Sequence, residues 1–151
     1  MNDIYYMKRA LELAEEAFDK GEIPVGAVVV RSCEIVGEGY NLIESKKNAL
    51  LNAEVIAIEK ACAAVGGWRL SDCTLYVTLE PCPMCAGAMI NSRIKRVVFG
   101  AKDAAAGCCG SLINFNSYPF NHAFEIQSGL CADESAELLR RFFNKKRESG
   151  K

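Results

Sequence analysis

The chain has 151 residues, half of them hydrophobic and a quarter charged, which is enough to fill one core and excludes an extended, disordered composition. A formal net charge of -1 gives no global pull towards nucleic acid or an anionic membrane, so any such contact must come from a local patch. Eight cysteines suggest a disulfide framework, but Met1-Asn2-Asp3-Ile4 does not begin a secretory signal and no apolar run approaches membrane-spanning length. A reducing, cytoplasmic setting is therefore expected, with cysteines packed in the core or used as ligands.

From Ile4 to Lys20, Met7, Ala10, Leu11, Ala14 and Phe18 recur at helical spacing, with Lys8, Glu12, Glu15 and Glu16 on the other face. Gly21-Glu22-Ile23-Pro24 breaks this helix. Val25 to Val30 reads as a buried strand and Glu34 to Tyr40 as its return partner across Arg31-Ser32-Cys33. Residues 41 to 51 are polar and irregular. From Asn52 to Val65 the pattern is helical again, with Val55, Ile56, Ile58, Ala61 and Cys62 on one face, ending at Gly66-Gly67. Asp72 to Thr78 is a strand, Cys82 to Asn91 a helix and Arg96 to Gly100 a strand, a βαβ unit that implies parallel pairing. A Gly- and Ala-rich loop follows from Ala101 to Ser117. Phe124 to Gln127 reads as a short last strand. Asp133 to Lys146 closes the chain as an amphipathic helix with Leu138, Leu139, Phe142 and Phe143 inward, before a basic tail. These elements predict one α/β domain over residues 1–151, built as three α/β/α layers around a mixed sheet of about five strands.

The chemistry gathers around Thr78-Leu79-Glu80-Pro81-Cys82-Pro83-Met84-Cys85. Proline suits the first turn of a helix, so Pro81 and Pro83 put the helix start near Cys82. Two cysteines three residues apart share one face of a turn, and a helix N-terminus lowers thiol pKa. Such a pair is half of a tetrahedral zinc site. Taken alone, Cys-x-x-Cys is equally the mark of a redox pair or of two packed helix residues. Asn52 and Glu54, at the start of the preceding helix, supply candidate partners.

Those residues carry a resemblance. The run from Thr74 to Ile90 with its Pro-Cys-x-x-Cys, the pair Ala53-Glu54 and the segment Arg96 to Ala101 are similar to the cytidine deaminase superfamily, and most of all to bacterial tRNA adenosine deaminases. The similarity extends from Pro24-Val25-Gly26-Ala27 through Phe120-Asn121-His122 to Phe142-Phe143. It implies one Zn2+ per chain, with Cys82 and Cys85 as ligands and Glu54 as the catalytic carboxylate that shuttles protons from water to the base and the departing amine. It implies further that the N–H groups of Ala53 and Cys85 border the reacting base and that Asn41 hydrogen-bonds it. Asp103, Asn121 and Phe143 would surround a flipped-out nucleotide of the tRNA anticodon loop. A homodimer is implied, and neither DNA nor membrane is an expected partner.

One position departs from the resemblance. Asn52 stands where the family has a histidine ligand, and the chain's only histidine, His122, lies where the family places none. Asn52 presents an amide oxygen at similar reach, a weaker donor to zinc than imidazole. Zinc held by Cys82, Cys85 and Asn52, zinc held by the thiolates with water or Glu54, and no zinc at all are each open, as is an Asn52 that merely caps its helix. The function implied is hydrolytic deamination of adenosine to inosine at the tRNA wobble position. A guanine, cytosine or nucleoside deaminase, or an impaired homologue that binds RNA or a partner without turnover, are the alternatives.

Overall fold

The structure is a computed structural model that describes residues 2–150. Helix α1 (Asp3–Asp19) opens with Asn2 as a working cap, its side-chain oxygen accepting the Tyr5 N–H at 3.1 Å. Strands β1 (Gly26–Arg31) and β2 (Glu34–Tyr40) form an antiparallel hairpin. Its two-residue turn, Ser32-Cys33, has positive φ at both positions, the geometry that matches the twist of paired strands. A short α2 (Ile43–Lys46) and the longer α3 (Ala53–Val65) follow. Then come β3 (Cys73–Leu79), α4 (Pro83–Asn91), β4 (Arg96–Ala101), a 3-10 turn at Phe115–Ser117, β5 (Glu125–Ser128) and α5 (Ala132–Ser149).

The sheet order is β2-β1-β3-β4-β5. β1 runs antiparallel to both neighbours, whereas β3, β4 and β5 are parallel, so the sheet is mixed and five-stranded. Alternation along the strands supplies both layers. Ala27, Val29, Leu75, Val77, Val97 and Phe99 face a core completed by Ala53, Ala57, Ala61, Met89 and Ile90 of α3 and α4. Val28, Val30, Tyr76 and Val98 face Tyr6, Met7, Ala10 and Leu13 of α1. α5 lies beside α1, with the Phe18 and Phe142 rings edge to face at 6.0 Å. This is the expected three-layer α/β/α arrangement.

Details differ from the sequence expectation where a tertiary partner decides. The buried stripe of α1 is Tyr6, Met7, Ala10, Leu13, Ala14 and Ala17, which leaves Leu11 and Phe18 at its margin. On α5, Ser135, Leu138 and Phe142 are buried, while Phe143 is 43% exposed rather than inward. α2 was not expected, because residues 41 to 51 carry no helical pattern. A distant carboxylate makes it: Glu22, 1% exposed, accepts the N–H of Glu44 at 3.1 Å and the N–H and hydroxyl of Ser45, each at 2.5 Å. Leu42, the residue before α2, offers no side-chain cap of its own.

α3 sits unusually close to β2. A Cβ at Gly39 would lie 2.5 Å from the Ala53 carbonyl oxygen, and one at Gly37 2.2 Å from that of Ala57. Only glycine lets the helix backbone rest on the strand there. Because β1 is antiparallel to both β2 and β3, those two strands run the same way, and α3 and α4 follow their C-terminal ends. The starts of both helices therefore lie at one edge of the sheet, where sites in α/β folds collect.

Candidate active site

Cys82 is the N-cap residue of α4 and Pro83 its first helical residue, one position later than the sequence predicts. Cys85, one turn in, is fully buried. Asn52 occupies the corresponding N-cap position of α3, but its side chain makes no capping bond. Its Nδ2 instead donates to Sγ of Cys82 at 3.4 Å and to Sγ of Cys85 at 3.3 Å. The plain capping reading of Asn52 is thereby corrected: the amide belongs to the sulfurs. Glu54, two residues on, is 4% exposed and faces the same pair.

The electrostatics follow from this crowding. The Cys85 thiol donates to Cys82, which, against the effect of burial, pushes the Cys82 pKa down to about 6 with help from the N–H groups of Cys85 and Met84 at the helix start. The same hydrogen bond, burial and the nearby Glu54 push Cys85 far up. Burial raises Glu54 to about 7, opposed by its own backbone N–H and the Cys85 thiol and reinforced by the charge on Cys82. A carboxyl poised there exchanges protons in both directions near neutral pH.

Does this set suit zinc? Ligands on one tetrahedral zinc at ~2.0–2.3 Å lie roughly 3.5 Å from one another, the size of the spacings from Asn52 to the two sulfurs. Among the described residues no group of three or more His, Cys, Asp or Glu is arranged to hold a metal. Turned over about its Cβ–Cγ bond, the amide presents Oδ1 at the same place. The residues thus fit zinc as two thiolates and one neutral oxygen, a weaker set than one with imidazole.

The residues singled out for substrate separate into two groups. Asn41, 7% exposed, accepts the Ala53 N–H at 2.8 Å and donates to the Ile23 carbonyl at 3.1 Å. It also lines a cavity of about 230 Å³ with Ile23, Ile43, Phe142, Phe143 and Lys146. Asn41 and Phe143 are therefore brought together, with Asn41 joining that cavity to the start of α3. Asp103 and Asn121 do not line it. Asp103 organises its own loop, its Oδ1 accepting the N–H groups of Ala105 and Ala106, and Asn121 is exposed. His122 is spent on the Ile94 carbonyl at 2.7 Å.

Two buried acids without a role in the sequence reading shape the surroundings. Glu22 holds α2 beside the cavity. Glu80, 2% exposed, accepts the N–H groups of Asp103, Cys109 and Ser111 at 3.0, 3.0 and 3.1 Å, together with the Ser111 hydroxyl. It thus clamps the loop after β4 against the entry to α4, where the Cys108 N–H also meets the Pro81 carbonyl at 2.9 Å. The one signal in the sequence was a charged residue set inside an apolar strand-to-helix run.

An α/β sheet edge carrying Cys-x-x-Cys at one helix start and a buried Glu at the next has the features of the zinc nucleobase deaminases. The family model of MafB19-like deaminases matches residues 1–147. The tRNA-specific adenosine deaminase of Bacillus subtilis (strain 168) is 47% identical over 150 residues, covering 99% of this chain and 93% of that one. The tRNA-specific adenosine deaminase of Haemophilus influenzae is 48% identical over 147 residues, 96% of this chain and 85% of that one. Among solved structures, one from a study of A-to-I editing by tRNA:A34 deaminases at the wobble position superposes with a TM-score of 0.86 at 39% identity, over 89% of this chain and 98% of that one. A guanine deaminase from Bacillus subtilis matches with a TM-score of 0.65 at 43% identity, over 68% of this chain and 66% of that one. The chain belongs to the MafB19-like deaminase family, in company with the tRNA-specific adenosine deaminases.

Proposed function

We propose that this chain is a hydrolytic deaminase that converts adenosine to inosine at the tRNA wobble position. The observation that carries this reading is the buried Glu54 carboxyl beside Cys82 and Cys85. The choice of substrate is supported by near full-length similarity to tRNA-specific adenosine deaminases. The overall change replaces the C6 amino group by oxygen from water and releases ammonia.

Cys82, Cys85 and Asn52 would hold zinc, which when bound would supply the acidity that makes water nucleophilic near neutral pH. Glu54 accepts the proton of the attacking water, passes it to the ring nitrogen and later gives a proton to the amine that leaves. Asn41 fixes the first turn of α3 through Ala53 and so holds Asn52 and Glu54 in register with Cys85. The half-exposed ring of Phe143 offers a stacking face for a nucleotide beside the reacting one, and Lys146 at the same cavity offers a phosphate partner. Asp103 and Asn121 belong to this proposal as loop contacts to the anticodon. One domain, a homodimer and a cytoplasmic setting complete it. Among the described residues no helix is long and apolar enough to cross a membrane.

Incubating zinc-loaded, folded protein with tRNA-Arg and reading inosine at the wobble position tests the proposal. Full zinc loading with no inosine would sink it. The match to guanine deaminase favours a free base as the second reading, although it covers less of the chain. Ammonia released from guanine or cytosine without tRNA would select it. Binding of tRNA without turnover, even at saturating zinc, would instead select the impaired homologue that Asn52 suggests.

A further inference from the structure

Asn52 stands where a helix cap belongs and does not cap. Its backbone is extended and its carbonyl accepts the first helical bond from Ile56 at 3.1 Å, but its side chain makes no bond to the helix N–H groups. The N–H of Ala53, first in the helix, is bonded separately, by the Asn41 amide oxygen. The amide is left to the sulfurs. An asparagine side chain has two unlike ends in one plane, an NH2 group that donates and a carbonyl that accepts. As placed, one NH2 group donates to both cysteines, and no buried side-chain nitrogen or oxygen among the described residues lacks a partner. Both sulfurs are thus held by the amide without a metal, yet the three groups have the spacing of ligands that share one.

We propose that Asn52 gives this site two states. In the metal-free state Nδ2 holds both sulfurs. In the zinc-bound state the amide is turned over, and Oδ1 joins Cys82 and Cys85 as the third protein ligand. This rests on the deaminase reading of the same site. The states exclude each other, because the amide cannot aim both ends at the sulfurs. Zinc entry releases the Cys85 thiol proton to solvent and breaks the two N–H···S bonds, forming two bonds to thiolate sulfur and one to a neutral amide oxygen, so binding is weaker and more readily reversed than with an imidazole in the third place. Neither helix start relies on the Asn52 side chain, so the fold is the same in both states, and the supply of free zinc sets how much protein is active.

The test is the zinc dissociation constant of metal-stripped protein, measured by competition with a chromophoric chelator. The unaltered chain is compared with Asn52→His, Asn52→Asp and Asn52→Ala, each checked for folding by circular dichroism. Asn52→His should bind roughly 100-fold tighter, and Asn52→Asp, with a charged oxygen and no amide to turn, at least ~10-fold tighter. Asn52→Ala should bind about 10-fold more weakly than the unaltered chain, since it loses the oxygen ligand. Equal or tighter binding by Asn52→Ala would overturn the proposal, for the amide would then serve the sulfurs only. Equal affinity of Asn52→His and the unaltered chain would overturn it too. A second measurement needs no variant: the side-chain NH2 resonances of Asn52 should move on zinc saturation, and resonances that stay put would rule out the turned amide. A zinc-saturated Asn52→His chain that makes no inosine counts against the proposed function and leaves the affinity order standing.

Discussion

Asn41 and Ala53 are joined by a 2.8 Å hydrogen bond from the helix N–H to the buried amide oxygen, and this bond fixes the turn on which Asn52 and Glu54 sit. The other end of the same amide donates to Ile23 at 3.1 Å, tying the segment before β1 to α3. Two groups that the sequence resemblance assigns to the reacting base are here bonded to each other. Asn41→Ala leaves the Ala53 N–H and the Ile23 carbonyl without these partners. Its expected cost is about 1–3 kcal/mol in urea unfolding, with a loss of zinc affinity as well. Asn41→Asp, which keeps the acceptor and loses the donor, should recover part of the loss.

Glu54→Gln keeps the shape of the side chain and removes its ability to carry a proton. Turnover should fall by at least ~100-fold with the fold intact, measured as inosine formed per unit time. Stability should respond to pH in a defined direction. Because burial raises the folded pKa of Glu54 to about 7, the metal-free wild type bears no penalty from this group below the unfolded carboxyl range. The penalty grows as pH rises through that range and is complete above about 7. Metal-free Glu54→Gln should therefore gain stability relative to wild type at pH 8 and little at pH 4, read by urea midpoints at both.

The Glu80 clamp has a sharper structural test. Removing its carboxylate in Glu80→Ala leaves three backbone N–H groups and the Ser111 hydroxyl without their acceptor, an expected loss of roughly 2–4 kcal/mol. Hydrogen exchange should quicken at Asp103, Cys109 and Ser111 while the centre of the sheet stays protected. Gly107→Ala should loosen the same loop by a different route. A Cβ at position 107 would meet the Glu80 carboxyl carbon at 2.3 Å, and the Asp103 carbonyl blocks the other way at 2.5 Å.

Acid should unfold the chain through a small group of carboxylates. The Arg96 guanidinium holds Asp3 below its ordinary value against the opposing effect of burial. Burial alone would raise Glu80 and Glu22, but hydroxyl and N–H donors outweigh it, from Ser111, Asp103 and Cys109 for the first and from Ser45 and Glu44 for the second. A depressed folded pKa contributes stability that is present above the unfolded carboxyl value of ~4 and lost as pH falls through the folded one. Stability should be level from these groups above pH ~5 and fall steeply below pH ~4. Glu80→Gln should flatten that fall, measured by urea midpoints across the range.

Much of this architecture is legible in the one-dimensional pattern. Near-continuous apolar runs in β1, β3 and β4, and the strand-helix-strand order around Cys82, give the layers and the parallel pairing, because a strand apolar on both faces needs a layer of helices on each side. The Cys-x-x-Cys pair is legible too, since one turn of helix sets its spacing, whereas Glu54 on the preceding helix was singled out by the family resemblance. Other features depend on residues far apart in the chain. α2 exists because Glu22 caps it from 22 residues away, and nothing in Ile43–Lys46 announces a helix. The exposure of Phe143 depends on how α5 lies against α1.

The sequence alone determined that two thiols and an acid occupy helix starts, and that Asn52 stands where an imidazole was expected. It left Asn52 open as a zinc ligand or a plain helix cap, because both are within the chemistry of an amide. Tertiary structure took away the cap. Asn41, brought in from the end of β2, takes the N–H at the start of α3, and the packing of α3 against α4 turns the Asn52 amide to Cys82 and Cys85. The physical reason is that a side chain with two unlike ends takes its role from the partners that surround it, and those partners come from elements distant in the chain.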